Sequence, residues 1–258
     1  MINITKAEEA FADYVRNYDP ENGKVRLKII HTYHVEKTAE KIAMELGLGE
    51  EDVLLAKLIG LLHDIGRFEQ VRRFGDFRDH LTVDHAKLGA DLLEEGLLNK
   101  FVEDRQYDDI ILKAIRMHNR FAIDEELDER TLLHAKIIRD ADKVDIFRVR
   151  ITDPIIDVQA CTEQEMENGI VSKEAYEAFM EHRCLDREKI ISVVDGWICG
   201  AALIFDINFR PSMKILLDEH YVDRMINRIA YKNEDTKAKM EVIKQVADRY
   251  MIEKAVLL

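Results

Sequence analysis

An adjacent histidine and aspartate end an apolar run in the segment LLHDIGR, where His63 and Asp64 follow Leu61 and Leu62. A buried carboxylate is costly unless it is paired or bound to a cation. A neutral imidazole is a good nitrogen ligand for divalent Mn, Fe, Co, Ni or Zn. The pair therefore indicates either a metal site or an internal partner, and its residue types alone leave that choice open.

Other histidines and one aspartate occur where predicted helices could turn them toward the same interior. They are His31, His85, His118 and Asp142. His31 shares a helical stripe with Val35 and Ile42, whereas His85 begins one predicted helix and His118 ends another. For any one histidine taken alone, a satisfied core or surface position is the simpler interpretation. The remaining interior candidates keep that interpretation: His134, His182 and His220.

Composition favours long helices as the elements that position these residues. The chain of 258 residues has only 3 prolines and 11 glycines, so few residues break helices. Apolar periodicity predicts helices over residues 5–17, 24–46, 50–63, 83–97, 107–119, 131–149, 172–183, 186–205 and 233–254. The segment GRFEQVRRFGDFRDH, residues 66–80, has no clean period and is predicted to be a loop with one short turn. Gly66 is expected to let the chain turn away behind the His-Asp pair.

Charge and cysteine content restrict the class of partner. A net charge of −13 argues against a binder of duplex nucleic acid or of membrane surfaces. The apolar stretch GWICGAALIFDINF is interrupted by Asp206 and favours a buried helix. The 3 cysteines show no CxxC spacing, and the N-terminus lacks a signal-peptide pattern, so we expect a cytoplasmic protein with reduced thiols. No serine-nucleophile or phosphate-cradling glycine motif is present.

Pro154 marks the predicted domain boundary. Residues 1–153 are expected to form the core that carries the chemistry, because every motif lies within residues 25–150. Residues 154–258 are expected to form a helical annex packed on that core. Sequence patterns leave open whether the annex covers the site or mediates a homodimer.

The ordered set of histidine and aspartate motifs resembles the HD superfamily of metal-dependent phosphohydrolases. HTYHV is similar to the first histidine motif of that family, which favours His31 over His34. LLHDIGR matches the family's His-Asp pair, and RDADKVD matches its closing aspartate motif, which favours Asp142 over Asp140. The resemblance implies an all-α helical bundle, here with a C-terminal helical extension.

The resemblance also implies a centre for one or two divalent transition metal ions, with Mg as a further option. Histidines at the places of His85 and His118 bind a second ion in binuclear relatives. One ion would then be held by His31, His63 and Asp142, the other by His85 and His118, with Asp64 bridging. Asn119 stands where some relatives carry another histidine, which implies a weaker second site. A single-ion centre with His85 and His118 facing the substrate is the alternative.

The implied reaction is hydrolysis of a phosphomonoester or phosphodiester by metal-activated water. Asp64, or less securely Asp140, would accept the proton, while Lys143 and Arg67 would bind phosphate oxygens. Residues 67–80 contain arginines and aromatic residues that could bind phosphate and stack a base, or simply form a solvated loop. Further substrate contacts are predicted for His34, His80, Asn119 and Arg78.

The expected substrate is a small anionic phosphate ester, and a nucleotide is the favoured kind. Two other functions are compatible with the same residues. Some relatives use a di-iron centre on the same ligand set for oxidation by O₂. A non-catalytic sensor of metal or nucleotide could also be built on this fold.

Overall fold

Helices are the only regular secondary structure in the computed structural model, which describes residues 2–123 and 126–257. The all-α prediction is therefore confirmed. The chain divides into two compact units, Met1–Asp142 and Lys143–Leu258. This division lies within the long seventh helix, ahead of the boundary expected at Pro154.

In its described residues, the first unit contains six complete helices and the first part of a seventh. They are α1 (Ile4–Val15), α2 (Gly23–Glu45), α3 (Glu50–Leu62), α4 (Ile65–Phe74), α5 (His85–Glu94), α6 (Asp108–Met117) and α7 (Glu129–Thr152). Short 3-10 turns occupy Asp79–Leu81, Leu97–Lys100 and Arg105–Tyr107. Helix α2 packs against α3, and α5 packs against both α4 and α6. Their apolar faces bury Phe11, Ile42, Leu58 and Phe68 in the core of this unit.

The second unit is built on the remaining part of α7 and seven further helices. These are α8 (Ile155–Gln159), α9 (Glu163–Asn168), α10 (Lys173–Met180), α11 (Val193–Ala201), α12 (Arg210–Asp218), α13 (Tyr221–Asn227) and α14 (Glu234–Leu257). Two 3-10 turns lie at Arg187–Lys189 and Ala202–Asp206. Trp197 and Phe147 are fully buried in its core.

The prediction of one helix over residues 186–205 was wrong at both ends. Helix α11 starts only at Val193, because Ser192 and Asp195 form a capping box there, and a 3-10 turn follows it. Four short helices of this unit, α8, α9, α12 and α13, were not predicted. Their lengths of 5 to 9 residues give too few turns for an apolar period to show.

The predicted loop after the His-Asp pair was also wrong, since α4 occupies Ile65–Phe74. Ile65, Phe68 and Val71 are buried on one side of it. The apolar period is hidden because Glu69 and Gln70 are buried too. Gln70 donates to Asp79 and to the Val83 carbonyl, so its polar amide is satisfied inside the protein. Gly75 then ends the helix in the left-handed conformation, with φ 66°.

The role predicted for Gly66 was wrong as well. Gly66 lies inside α4, and its φ is not in the left-handed region. A Cβ there would lie 2.4 Å from the His85 carbonyl oxygen and 2.5 Å from the Gly89 nitrogen. The glycine is therefore needed because α4 and α5 approach each other closely, which brings the start of α5 next to Asp64.

Candidate metal centre

Three ligand candidates from three helices meet in the interior of the first unit. His31 is buried in the middle of α2, His63 follows the last turn of α3, and Asp142 lies on α7. His31 Nε2 lies 3.3 Å from His63 Nε2 and 3.1 Å from Asp142 Oδ1. His63 Nε2 lies 3.9 Å from the same Asp142 oxygen. These three side chains form the first ligand group.

Two further imidazoles form the second ligand group. His85 is the first residue of α5, which begins there because the Asp84 carboxylate caps the helix by accepting from the amides of Ala86 and Lys87. His118 lies at the end of α6. The two Nε2 atoms lie 3.0 Å apart, and both residues are buried, with 4% of their surface exposed.

Asp64 joins the two ligand groups through its two carboxylate oxygens. Oδ2 lies 3.4 Å from His31 Nε2 and 3.5 Å from His63 Nε2. Oδ1 lies 3.3 Å from His85 Nε2 and 3.8 Å from His118 Nε2. The side chain is 2% exposed. One carboxylate therefore faces both groups from between them, as a bridging ligand would.

Hydrogen bonds at the far ring nitrogens decide which nitrogens carry protons in the second group. His118 Nδ1 lies 2.7 Å from the Ile115 carbonyl oxygen, and His85 Nδ1 lies 2.6 Å from Asp79 Oδ2. Both oxygens accept, so each Nδ1 must donate, and each neutral ring then presents an unprotonated Nε2. Two bare nitrogen lone pairs face each other at 3.0 Å. A cation between them is the simplest means of removing that repulsion, so the residues fit a metal ion.

Ligand spacing agrees with this fit. Two ligands at about 2.1 Å from one ion, at octahedral or tetrahedral angles, lie about 3.0–3.4 Å apart. The closest contacts within the two groups and to Asp64 are 3.0 to 3.5 Å. His63 also has the tautomer of a ligand, because its Nδ1 lies 2.8 Å from the Gly60 carbonyl oxygen and must donate to it.

The charges of the site favour ionised acids and, in the second ligand group, neutral imidazoles. Burial by itself would raise the pKa of Asp64, but the ammonium of Lys28 and the ring of His63 hold that pKa well below its usual range. Burial likewise opposes ionisation of Asp142, and its contacts with His31 keep its pKa low. Burial and the neighbouring His85 ring lower the pKa of His118 to about 3. Metal ions bind these same protonation states.

Lys28 and Arg67 bring positive charge to Asp64. Lys28 Nζ lies 2.6 Å from Asp64 Oδ2, one helical turn before His31. Arg67 Nε lies 3.5 Å from Asp64 Oδ1, and its Nη1 donates to Asp79 Oδ1 at 2.8 Å. Arg67 was predicted at the site, whereas Lys28 was missed. Its place one turn before a ligand candidate on the same helix was the available signal.

Two residues missed by sequence analysis orient the second ligand group. Asp79 accepts from His85 and also from Gln70 and Arg67, which fix the carboxylate in place. Arg139 on α7 is buried, and its guanidinium donates to the carbonyls of Met117 at 3.0 Å, of His118 at 3.4 Å and of Arg120. It therefore holds the chain at the end of α6, where His118 is placed.

The other predicted substrate residues have different surroundings. Asn119 is exposed and donates to Asp84 Oδ1 at 2.9 Å and to Asp79 Oδ2 at 3.4 Å, next to the second ligand group. Arg78 forms an exposed ion pair with Asp76. His34 and His80 are exposed. Their roles toward a substrate stay predictions.

Lys143 and Asp140 are both buried. The Lys143 ammonium lies 2.8 Å from Asp206 Oδ2 within the second unit, so part of its charge is already compensated. The catalytic roles predicted for both residues stay predictions. His134, which sequence analysis left as a structural histidine, pairs with Asp52 at 2.9 Å.

Comparison with protein families finds a match that covers most of the first unit. Residues 29–146 match the HD domain family, and this stretch contains every residue of the two ligand groups. The match shows that this part of the chain is an HD domain, a family whose proteins are generally metal-dependent phosphohydrolases. No curated protein and no solved structure matches the chain. Among the described residues, no helix has both the length and the apolar character required to cross a membrane.

Proposed function

We propose that this protein is a binuclear metal-dependent phosphohydrolase that acts on a small phosphate ester. The observation that carries the proposal is the pair of bare Nε2 atoms of His85 and His118, 3.0 Å apart and joined to the first ligand group through Asp64. A single-ion enzyme needs only the first group. The second group adds two imidazoles that are already oriented and that lie beside Asp64 Oδ1, the oxygen facing away from the first group. They support a second ion.

Bound divalent ions would supply the chemistry of lowering the pKa of water and neutralising charge on phosphoryl oxygens. The first ligand group would hold one ion, and the second group the other. Asp64 would serve as the shared ligand, because both of its oxygens already face imidazoles. This arrangement favours a ligand role for Asp64 over its predicted role as the proton acceptor.

Lys28 and Arg67 would orient the phosphoryl group. Each places a cationic nitrogen within 3.5 Å of Asp64, at its Oδ2 and Oδ1 oxygens respectively. Fixed positive charges beside a reacting phosphate stabilise the negative charge of the transition state without reorganisation. Removal of one such donor typically costs about 10²–10³-fold in rate, and we expect that loss for Lys28→Met.

An aromatic ring beside these cations supports a nucleotide-like substrate. Phe77 lies 5.6 Å from Lys28 Nζ and 5.5 Å from the Arg67 guanidinium, measured to the ring centroid. Lys24 Nζ lies 6.0 Å from the same centroid. A base could stack on such a ring while its phosphate meets the lysines and arginine.

The test is metal analysis of the purified full-length protein together with turnover. Metal-free protein is reloaded separately with Mn, Fe, Co, Ni, Zn or Mg and assayed on a panel of nucleotides, phosphomonoesters and phosphodiesters. We expect two ions per chain and hydrolysis that is lost with His63→Ala. His134→Gln is the matched control, because it also removes a buried imidazole of this unit, and it should retain both metals and activity.

The same experiment can reject the proposal in two ways. Tight nucleotide binding without turnover in every metal form would favour a sensor. Selective iron content, with consumption of O₂ and no phosphate release, would favour an oxygenase. A single ion with normal hydrolysis would keep the enzyme class but overturn the binuclear centre.

A further inference from the structure

Two cysteines of the second unit lie in contact with each other. Cys184 follows α10, and Cys199 lies on α11, and both side chains are partly exposed. The two thiols interact, so that the pKa of Cys184 is raised and that of Cys199 is lowered. Cys184 Sγ lies 3.7 Å from the Cys199 carbonyl oxygen, and Cys199 Sγ lies 3.9 Å from the Leu185 carbonyl oxygen. Residues 15 positions apart in the chain therefore present a pair of adjacent sulfurs.

The guanidinium of Arg150 lies next to this thiol pair. It packs over Trp197 at 5.3 Å from the ring, and a Cβ added to Gly200 would come within 2.4 Å of its Cζ atom. Nη1 donates to Gln159 Oε1 at 3.0 Å, whereas Nε is buried without a hydrogen-bond acceptor. Gly196 and Gly200 thus leave room on α11 for Gln159 and Arg150.

The charge of this guanidinium needs an anion. Arg150 is partly buried, and a cation that is withdrawn from water is destabilised when it has no counter-ion. Within residues 2–123 and 126–257, no carboxylate forms an ion pair with Arg150, and the charges that favour its protonated form are those of Cys199 and Cys184. A thiolate in this pair is therefore the available counter-ion. The hydrogen bond from Cys184 lowers the pKa of Cys199 to about 7, although burial and Asp195 oppose this.

We propose that Cys184 and Cys199 form a reversible redox pair, in which Cys199 is the attacking thiolate and Arg150 stabilises it. The oxidant would be a low-molecular-weight disulfide of the glutathione class. This inference concerns the second unit only and is independent of the metal centre.

The Cys199 thiolate attacks one sulfur of the disulfide RSSR, forming a mixed disulfide with R–S and expelling RS⁻, which is protonated to RSH. Cys184 then loses its proton and attacks Cys199 Sγ, which forms the Cys184–Cys199 bond and expels the second RS⁻. Two protein thiols are oxidised, and one RSSR is reduced to two RSH.

Cys161 provides an internal contrast. It is buried, and burial raises the pKa of its thiol. Among the residues that the structure describes, no cationic group lowers that pKa. It should therefore remain reduced under conditions that oxidise the pair.

The test uses the full-length protein equilibrated in glutathione redox buffers and analysed by peptide mass spectrometry. We expect a Cys184–Cys199 linked peptide that dithiothreitol removes, and the same linkage in Cys161→Ser. Cys184→Ser should instead accumulate glutathione on Cys199, because the resolving thiol is absent. Cys199→Ser should remain largely unmodified at Cys184.

Alkylation rates provide a second readout that does not need a disulfide. At pH 6.5 we expect Arg150→Gln to slow alkylation of Cys199 by roughly fivefold, since fewer thiolates outweigh the gain in nucleophilicity. The proposal fails if the folded wild-type protein forms no linked peptide in any buffer that oxidises free dithiothreitol. It also fails if Cys184 captures glutathione in place of Cys199. Should Arg150→Gln not fold, the cysteine variants still decide the outcome.

Discussion

The two halves of the metal centre are positioned by different means. In the first group, His31 and Asp142 lie within helices of 23 and 24 residues, and only His63 lies at a helix end. In the second group, His85 begins one helix of 10 residues and His118 follows another of the same length. Long helices packed over several turns hold a side chain by their whole length, whereas residues at helix ends depend on local contacts.

Those local contacts are visible for the second group. The Asp79 carboxylate orients the His85 ring, and the Arg139 guanidinium holds the carbonyls around His118. Asn119 donates hydrogen bonds to Asp79 and Asp84, and its amide side chain does not replace an imidazole as a metal ligand. We therefore expect the first half to bind its ion more tightly than the second, in agreement with the weaker second site predicted from Asn119.

The largest effect is expected from Asp64→Asn, because this change alters both halves at once. Its amide retains the shape but loses the charge and one acceptor oxygen. We expect both ions to be lost and hydrolysis to fall by more than the roughly 100-fold that orienting residues control. Metal content and turnover of the same preparation provide the measurement. Two ions retained at wild-type affinity would show that Asp64 is not the bridge.

A comparison of His31→Ala with His118→Ala tests the asymmetry directly. His31→Ala should remove the tighter ion together with activity, whereas His118→Ala should remove only the weaker ion. Isothermal titration of metal-free protein with Mn or Co resolves the two binding events. Loss of the tighter event in His118→Ala would reverse the order inferred from the helices.

Arg139→Gln should weaken only the second half. With the guanidinium removed, the carbonyls of Met117 and His118 lose their donors and the His118 ring loses its fixed position. We expect the affinity for the second ion to fall about 10–100-fold, the usual effect of removing an orienting group. The first binding event should be unchanged in the same titration.

Arg130→Gln is the matched control for that change. Arg130 lies on the same helix but pairs with Glu51 and Asp52, away from the ligands. It should leave both binding events intact. Equal weakening of the two events in Arg139→Gln would indicate a general structural role.

The long helices and the candidate metal ligands could be predicted because both depend on local sequence. Most long helices were located within a few residues by their apolar period, and the structure brings the predicted ligands together: His31, His63, Asp64, His85, His118 and Asp142. Helix α4 escaped prediction because its buried face contains polar Glu69 and Gln70. The charged partners of Glu69 lie in the same helix, and the groups that accept from Gln70 lie several residues further along the chain. An apolar period shows neither kind of contact.

The supporting residues could not be predicted, because their roles exist only in three dimensions. Asp79 and Arg139 have ordinary polar side chains, and nothing in their spacing separates them from surface residues. Lys28 has only one signal in the sequence, its place one turn before His31 on the same helix. Gly66 shows the same difficulty, since its absent side chain matters only once α5 lies against α4. Ligand type can be read from residue type, whereas orientation depends on contacts between distant parts of the chain.

The smallest expected effect is on the stability of the packed helices α2 and α3, which position two ligands of the first group. Glu36 lies on α2 and is buried where a Cβ on Gly60 of α3 would come within 2.8 Å of the Glu36 Cα. Its Oε1 has no hydrogen-bond partner. Burial is the main cause that raises the pKa of Glu36, and the neighbouring Glu8 raises it further, to about 8. The folded protein therefore retains a proton here that the unfolded chain releases above its ordinary pKa of 4.5.

Because the folded state binds the extra proton, this group makes stability fall as pH rises from about 4.5 to about 8. Glu36→Gln keeps a neutral side chain at every pH, so we expect that fall to shrink by at least about 1 kcal/mol. Urea unfolding of the metal-free protein at several pH values measures it. Glu45→Gln, an exposed change on the same helix, should keep the wild-type slope. An unchanged slope in Glu36→Gln would mean that Glu36 is ionised when folded, and that the first half owes no pH sensitivity to this contact.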